Sequence, residues 1–130
     1  MNMTAIEATS IYIAINILLL WYLAYRVTGF RQSTSTSLGD GGHEDLIKTI
    51  RAHGNATEYI PAQLIGLLAL SMMDAPILLI HGLGGVFTLA RFFHAYGMHT
   101  TTRPPRFFGT AFTWLSMLAT AISLIWFAFT

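Results

Sequence analysis

The run from Ala5 to Tyr25 contains one acid, Glu7, and no base, and the run from Phe107 to Thr130 contains no charge at all. A helix needs about 20 apolar residues to cross the hydrocarbon of a bilayer, so each run is long enough to span one. Composition makes the same demand of the whole chain. Its 130 residues are 54% hydrophobic and 10% charged, whereas a soluble domain is normally about a quarter charged. Too little polar material is present to coat a water-soluble core, which excludes a cytoplasmic globule. A net charge of +1 predicts no nucleic-acid partner. The absence of cysteine excludes disulfides, thiolate metal sites and cysteine nucleophiles, so any thiol chemistry must come from a substrate.

Four helices are expected, at about 5–27, 43–73, 76–98 and 106–129, in a single domain over residues 1–130. The first is read as a retained span rather than a cleaved signal, because no basic residue precedes it and no small-x-small site follows it. From Val27 to Gly42 the chain turns to Gly, Ser, Thr and charge, which predicts the longest loop. Glu44 and Asp45 suit a helix N-terminus electrostatically. The second helix is polar up to Glu58 and apolar from Tyr59 onward, so its first half must project from the hydrocarbon or be covered by neighbours. Pro61 predicts a kink near Thr57 or Glu58 rather than a stop. Asp74-Ala75-Pro76 makes a tight turn. Gly82, Gly84 and Gly85 offer a smooth face for another helix backbone, and His99 to Arg106, with Pro104-Pro105, form a short polar loop. The fold class is therefore an all-α integral membrane protein, a four-transmembrane-helix bundle with multi-pass topology.

Basic residues orient it. Arg26, Arg31 and Lys48 border the first loop and Arg103 and Arg106 the third, while the second loop and both termini have none. Loops one and three are expected in the cytoplasm and the termini on the opposite side.

Chemistry concentrates where the second and third helices meet. Arg51, Asn55 and Glu58 are spaced i, i+4, i+7 and share one helical face, which Lys48 extends outward. Arg91 and His94 stand i, i+3 on the third helix at similar depth. Ionisable groups inside a membrane are costly unless paired, which makes such a cluster a functional site by default. The same residues admit a structural reading, in which Arg51–Glu58 or Glu58–Arg91 ion pairs merely hold helix register. His81 reads as an interfacial packing residue. His94 and His99 lack a partner at i+4, so no metal site is expected. A transporter fits less well, because no second polar cluster marks a path through the bilayer.

The string Arg51-Ala-His53-Gly-Asn55-Ala-Thr-Glu58-Tyr-Ile-Pro61, followed by Arg91-Phe-Phe-His94, resembles the family of membrane-associated proteins in eicosanoid and glutathione metabolism, MAPEG. The likeness is to bacterial-type members related to microsomal glutathione transferases, and it extends over essentially the whole chain. The resemblance implies a homotrimer in a bacterial inner membrane. Glutathione would act as co-substrate between subunits, and a lipophilic small molecule would enter from the lipid bilayer. It implies a glutathione-dependent transferase or peroxidase acting on lipophilic electrophiles. The alternative is a non-catalytic lipid-binding or scaffolding trimer of the same fold. Carried over by position, Arg51, Asn55 and Glu58 would hold the tripeptide, with Arg91, His94 and, more loosely, Tyr96 also lining it. Arg106, expected at the start of the fourth helix, would stabilise the thiolate. Two positions depart from the pattern. Gly54 stands where glutathione-using relatives often carry a second arginine, and Gly29 falls near an arginine expected at the end of the first helix.

Overall fold

The structure, a computed structural model, describes residues 3–130 and contains four helices: α1 (Ala5–Ser33), α2 (Glu44–Met72), α3 (Ile77–Thr100) and α4 (Arg103–Phe129). Helix α1 starts at a capping box. Thr4 Oγ1 accepts from the Glu7 amide at 3.3 Å while Glu7 Oε2 accepts from the Thr4 amide at 2.7 Å. The one acid of the first apolar run is thus consumed in satisfying a helix end.

At its other end α1 continues six residues past the expected limit at 27, to Ser33. The polar residues after Val27 extend the helix instead of ending it, and Arg31 closes the turn beyond by donating to the carbonyls of Thr36, Ser37 and Gly39. At 29 residues, α1 is ~43 Å long at the usual helical rise, so it outreaches the hydrocarbon. The loop that follows is correspondingly shorter. It turns at Gly39, Gly41 and Gly42, all with positive φ, and the Gly42 amide donates to Asp40 Oδ1 at 2.9 Å.

Helix α2 runs unbroken through Pro61. Its first turn carries Glu44 and Asp45, both ion-paired with Lys48, at 3.1 and 3.8 Å. The turn into α3 places Asp74 in the left-handed region, at φ 56°, and caps the helix with Pro76. The third loop is much shorter than expected, because α4 begins at Arg103 and takes Pro104 and Pro105 into its first turn. Proline is tolerated there because the first-turn amides have no intrahelical partner to lose.

Helices α1, α3 and α4 are long and apolar enough to cross a membrane. Helix α2 does not reach that apolarity by itself: its uncharged stretch after Glu58, residues 59–72, is only 14 residues. It lies instead between neighbours. Helices α2 and α3 each pack on all the others, whereas among the described residues α1 and α4 make no contact. One apolar cluster, around Leu67, Leu70, Ile80 and Leu83, fills the end near the α2–α3 turn; a second, around Leu23, Ala56, Ile60 and Phe87, fills the other half. The outer faces are apolar, with Trp21, Tyr25, Leu115, Leu118, Ile125 and Trp126 all exposed. In water such a surface would drive aggregation; in lipid it is the ordinary state.

The glycines do different work from that expected. A Cβ on Gly84 would strike the Tyr12 ring at 2.6 Å, and Gly82 meets nothing within 4 Å, so this face of α3 receives a side chain and not a helix backbone. Close backbone approach occurs instead between α3 and α4. A Cβ on Gly97 would collide with the Arg106 amide, and one on Gly109 would lie 2.6 Å from the His94 amide.

Candidate functional site

Arg91 is the largest fully buried side chain, at 1% exposure. Its Nη2 donates to Asn55 Oδ1 on α2 at 2.7 Å and lies 3.4 Å from His94 Nδ1, while Nη1 donates to Thr113 Oγ1 on α4 at 3.4 Å. The guanidinium carbon stands 5.7 Å from the centre of the Tyr59 ring, within cation–π range. Three helices therefore converge on one cation. No carboxylate does: among the described residues the only ion pairs are those of Lys48. Neither Arg51–Glu58 nor Glu58–Arg91 forms within the chain, which removes the reading of these residues as an intrachain register lock. Arg91 Nε and the neighbouring helix's Ser116 Oγ are buried without partners.

Outside this centre, Arg51 and Glu58 are exposed on either side of half-buried Asn55. The three share a face of α2, with the asparagine turned toward α3 and the two charges facing out of the chain. His94 is buried beside Arg91. Tyr96, at 58% exposure, lies on another side of α3, and its ring makes none of the site's hydrogen bonds among the described residues. Arg106 is not the first residue of its helix but the fourth, exposed, with its backbone against Gly97 one turn beyond His94. Two of the three preceding α4 residues are prolines without an N–H, so what Arg106 offers an anion is chiefly its guanidinium.

Three site residues lay outside the sequence reading. Tyr59 stands inside the recognised string, and its hydroxyl accepts from Trp114 Nε1 at 3.2 Å. Thr113 and Ser116 belong to α4, where buried Gly109, Thr113, Ser116 and Thr120 form a small, polar stripe at helical spacing. That spacing was the available signal, hidden in a segment read only for its lack of charge. Thr113 also donates to the Gly109 carbonyl at 2.7 Å, which leaves its oxygen lone pairs free for Arg91.

Further polar ties cross the bundle at other depths. Asn16 Nδ2 donates to Thr88 Oγ1 at 2.9 Å, Gln63 Nε2 donates to Thr120 Oγ1 at 2.8 Å, and the Tyr12 hydroxyl lies 2.9 Å from His81 Nδ1. His81 thus meets Tyr12 edge-on as a packing partner. No group of three metal-ligating side chains occurs among the described residues.

An all-helical membrane protein with a buried arginine shared by three helices, and two unpaired charges beside it, is the class that fold and site define. The MAPEG family model matches residues 9–126, and the chain belongs to that family. It is similar to the inner membrane protein YecN of Escherichia coli strain K12, with 32% identity over 119 residues, covering 92% of this chain and 91% of the relative. The YecN protein of Escherichia coli O6:H1 matches to the same extent. No solved structure matches.

Proposed function

We propose that the protein is a glutathione-dependent transferase of the bacterial inner membrane, conjugating lipophilic electrophiles, and that it works as a homotrimer with the thiol held between subunits. The observation that carries this reading is the Arg51–Asn55–Glu58 face. Arg51 and Glu58, of opposite charge, stand without an ion-pair partner among the described residues on either side of an amide, with Arg91 fixing that amide from behind. Glutathione has two carboxylates and one ammonium, and Arg51 and Glu58 complement a carboxylate and the ammonium respectively. The inner-membrane setting rests on the YecN relatives, and the side of the loops on the basic residues that border them. Helix α2 becomes the fourth span once neighbouring subunits cover its charged half.

Arg91 and His94 act in this reading as positioning residues, since both are enclosed by the chain. Arg106 supplies positive charge to the sulfur. A thiolate so held attacks the electrophilic carbon, the sulfur–carbon bond forms, and the leaving group departs with its electron pair. The thiol proton passes to solvent.

A second reading, a lipid-binding scaffold without catalysis, is favoured by Gly54, which leaves open space on α2 where an additional arginine would strengthen thiol binding. The two are separated by calorimetric titration of glutathione into the detergent-purified protein, followed by conjugation of an aryl halide, with Glu58→Gln as control. Binding and turnover that vanish in the variant while the trimer persists support the transferase. No binding at millimolar glutathione supports the scaffold.

A further inference from the structure

Away from the Arg91 centre, α3 and α4 enclose an open cleft of about 510 Å³ on their outer side. Its floor is Ala90 and Gly109, and its walls include Leu89, Phe93, Phe108 and Phe112. All four wall residues named are between 47% and 62% exposed, so the cleft opens to whatever surrounds the bundle. Nothing polar lines it: the remaining lining residues are Val86, Pro104 and Pro105.

A second protein helix is a poor occupant. Helices associate in membranes through small residues that allow close approach and through side-chain hydrogen bonds. Here the two small residues are already used, since Gly109 packs directly on the His94 amide and the Ala90 carbonyl, and no hydrogen-bonding side chain remains. A flexible hydrocarbon chain needs neither. At one end of the cleft, Arg103 precedes Pro104 and Arg106 follows Pro105, both exposed, and the stretch from Tyr96 to Gly109 contains no acid. The end of the apolar cleft is therefore cationic, and two of the amides that might have bound an anion there are replaced by proline. Side-chain guanidinium is the anion-binding group this corner offers.

We infer that the α3–α4 cleft is a binding site for an anionic phospholipid, one acyl chain lying between Phe93 and Phe108 and the phosphate meeting Arg103. A basic pocket between transmembrane helices at the headgroup level is the general form of such a site. Arg106 is left to the thiol site. This inference needs only the membrane setting and stands whether or not the protein binds glutathione.

The test is thermal unfolding of the detergent-purified full-length protein with added phosphatidylglycerol, with phosphatidylcholine of the same acyl chains, and with glycerol 3-phosphate. Arg103→Gln and Leu89→Trp are compared with the parent, and molar mass is followed by light scattering. Phosphatidylglycerol should raise the melting temperature several degrees more than phosphatidylcholine, and glycerol 3-phosphate should do nothing. Arg103→Gln should abolish the excess, and Leu89→Trp, which fills an exposed wall position, should reduce the effect of both lipids. Equal stabilisation by the two lipids in the parent overturns the proposal, as does an excess for phosphatidylglycerol unchanged in Arg103→Gln or a lipid effect undiminished in Leu89→Trp. A loss of molar mass in Leu89→Trp also overturns it, by showing that a second copy occupies the cleft.

Discussion

Arg91 Nη2 and Asn55 Oδ1 meet at 2.7 Å across the α2–α3 seam, and this bond joins the chain's buried cation to the one residue of the Arg51–Asn55–Glu58 face that turns inward. The amide is held from behind by a group that does not itself reach the surface, which orients the outward face without adding to it.

Removing that acceptor should cost stability more than its size suggests. Asn55→Ala leaves a buried guanidinium with one fewer partner and none of them acidic, and the expected loss is about 1–3 kcal/mol. Chemical unfolding in mixed micelles measures it; a variant as stable as the parent would mean that water reaches Arg91.

Glu58→Gln should behave in the opposite way. The residue is exposed and has no ion-pair partner among the described residues, so stability should stay within about 0.5 kcal/mol of the parent while glutathione binding is lost. A marked drop in melting temperature would reveal an intersubunit ion pair through Glu58, and would place its role in assembly.

Two glycines should respond very differently to alanine. At Gly97 the added Cβ meets the Arg106 backbone, which cannot yield as a side chain would, and overpacking of this kind costs about 1–3 kcal/mol. At Gly54 a Cβ meets nothing within 4 Å, so the change should be neutral or stabilising by up to about 1 kcal/mol through helix propensity. Thermal unfolding of the two variants side by side checks the ordering.

The same open space admits the Cβ of a Gly54→Arg side chain. It adds a cation one residue before Asn55, and titration calorimetry should show tighter glutathione binding than in the parent. Unchanged affinity would place the peptide's carboxylates away from this turn of α2.

Gln63 and Thr120 offer a measure of polar ties in this bundle. Their bond is buried and joins α2 to α4, and a double-mutant cycle with Gln63→Leu and Thr120→Val should give a coupling of about 0.6 kcal/mol, the usual size for a hydrogen bond between membrane helices. A coupling near zero would show that both side chains find other partners when separated.

What was legible in the sequence was what charge and apolar length control. The number of helices, the grouping of Asn55, Arg91 and His94, and the membership of MAPEG all came from residues whose presence in a membrane is costly or whose spacing is distinctive. The rest depended on features that carry no charge. Thr113 and Ser116 carry no charge, so α4 looked featureless although its Thr113 completes the Arg91 centre. Pro104 and Pro105 suggested a loop because proline breaks helix interiors, yet in a first turn they break nothing. The extension of α1 to Ser33 depends on the Arg31 contacts with the loop beyond, which no local propensity encodes. Ion pairing of Glu58 was suggested by spacing alone, and spacing places side chains on a face without saying which way they reach.

Gly97 seats on the Arg106 backbone and Gly109 on that of His94, two close contacts between α3 and α4 that lie about one helical turn apart, beside the two-residue turn that joins the helices. A pair of rods seated together near a shared end is held there and least constrained at the other. Helices α3 and α4 are therefore clasped like tongs at the end that carries Arg106, and breathing that admits a bulky molecule between them is freest at the open end, toward Ile77 and Phe129.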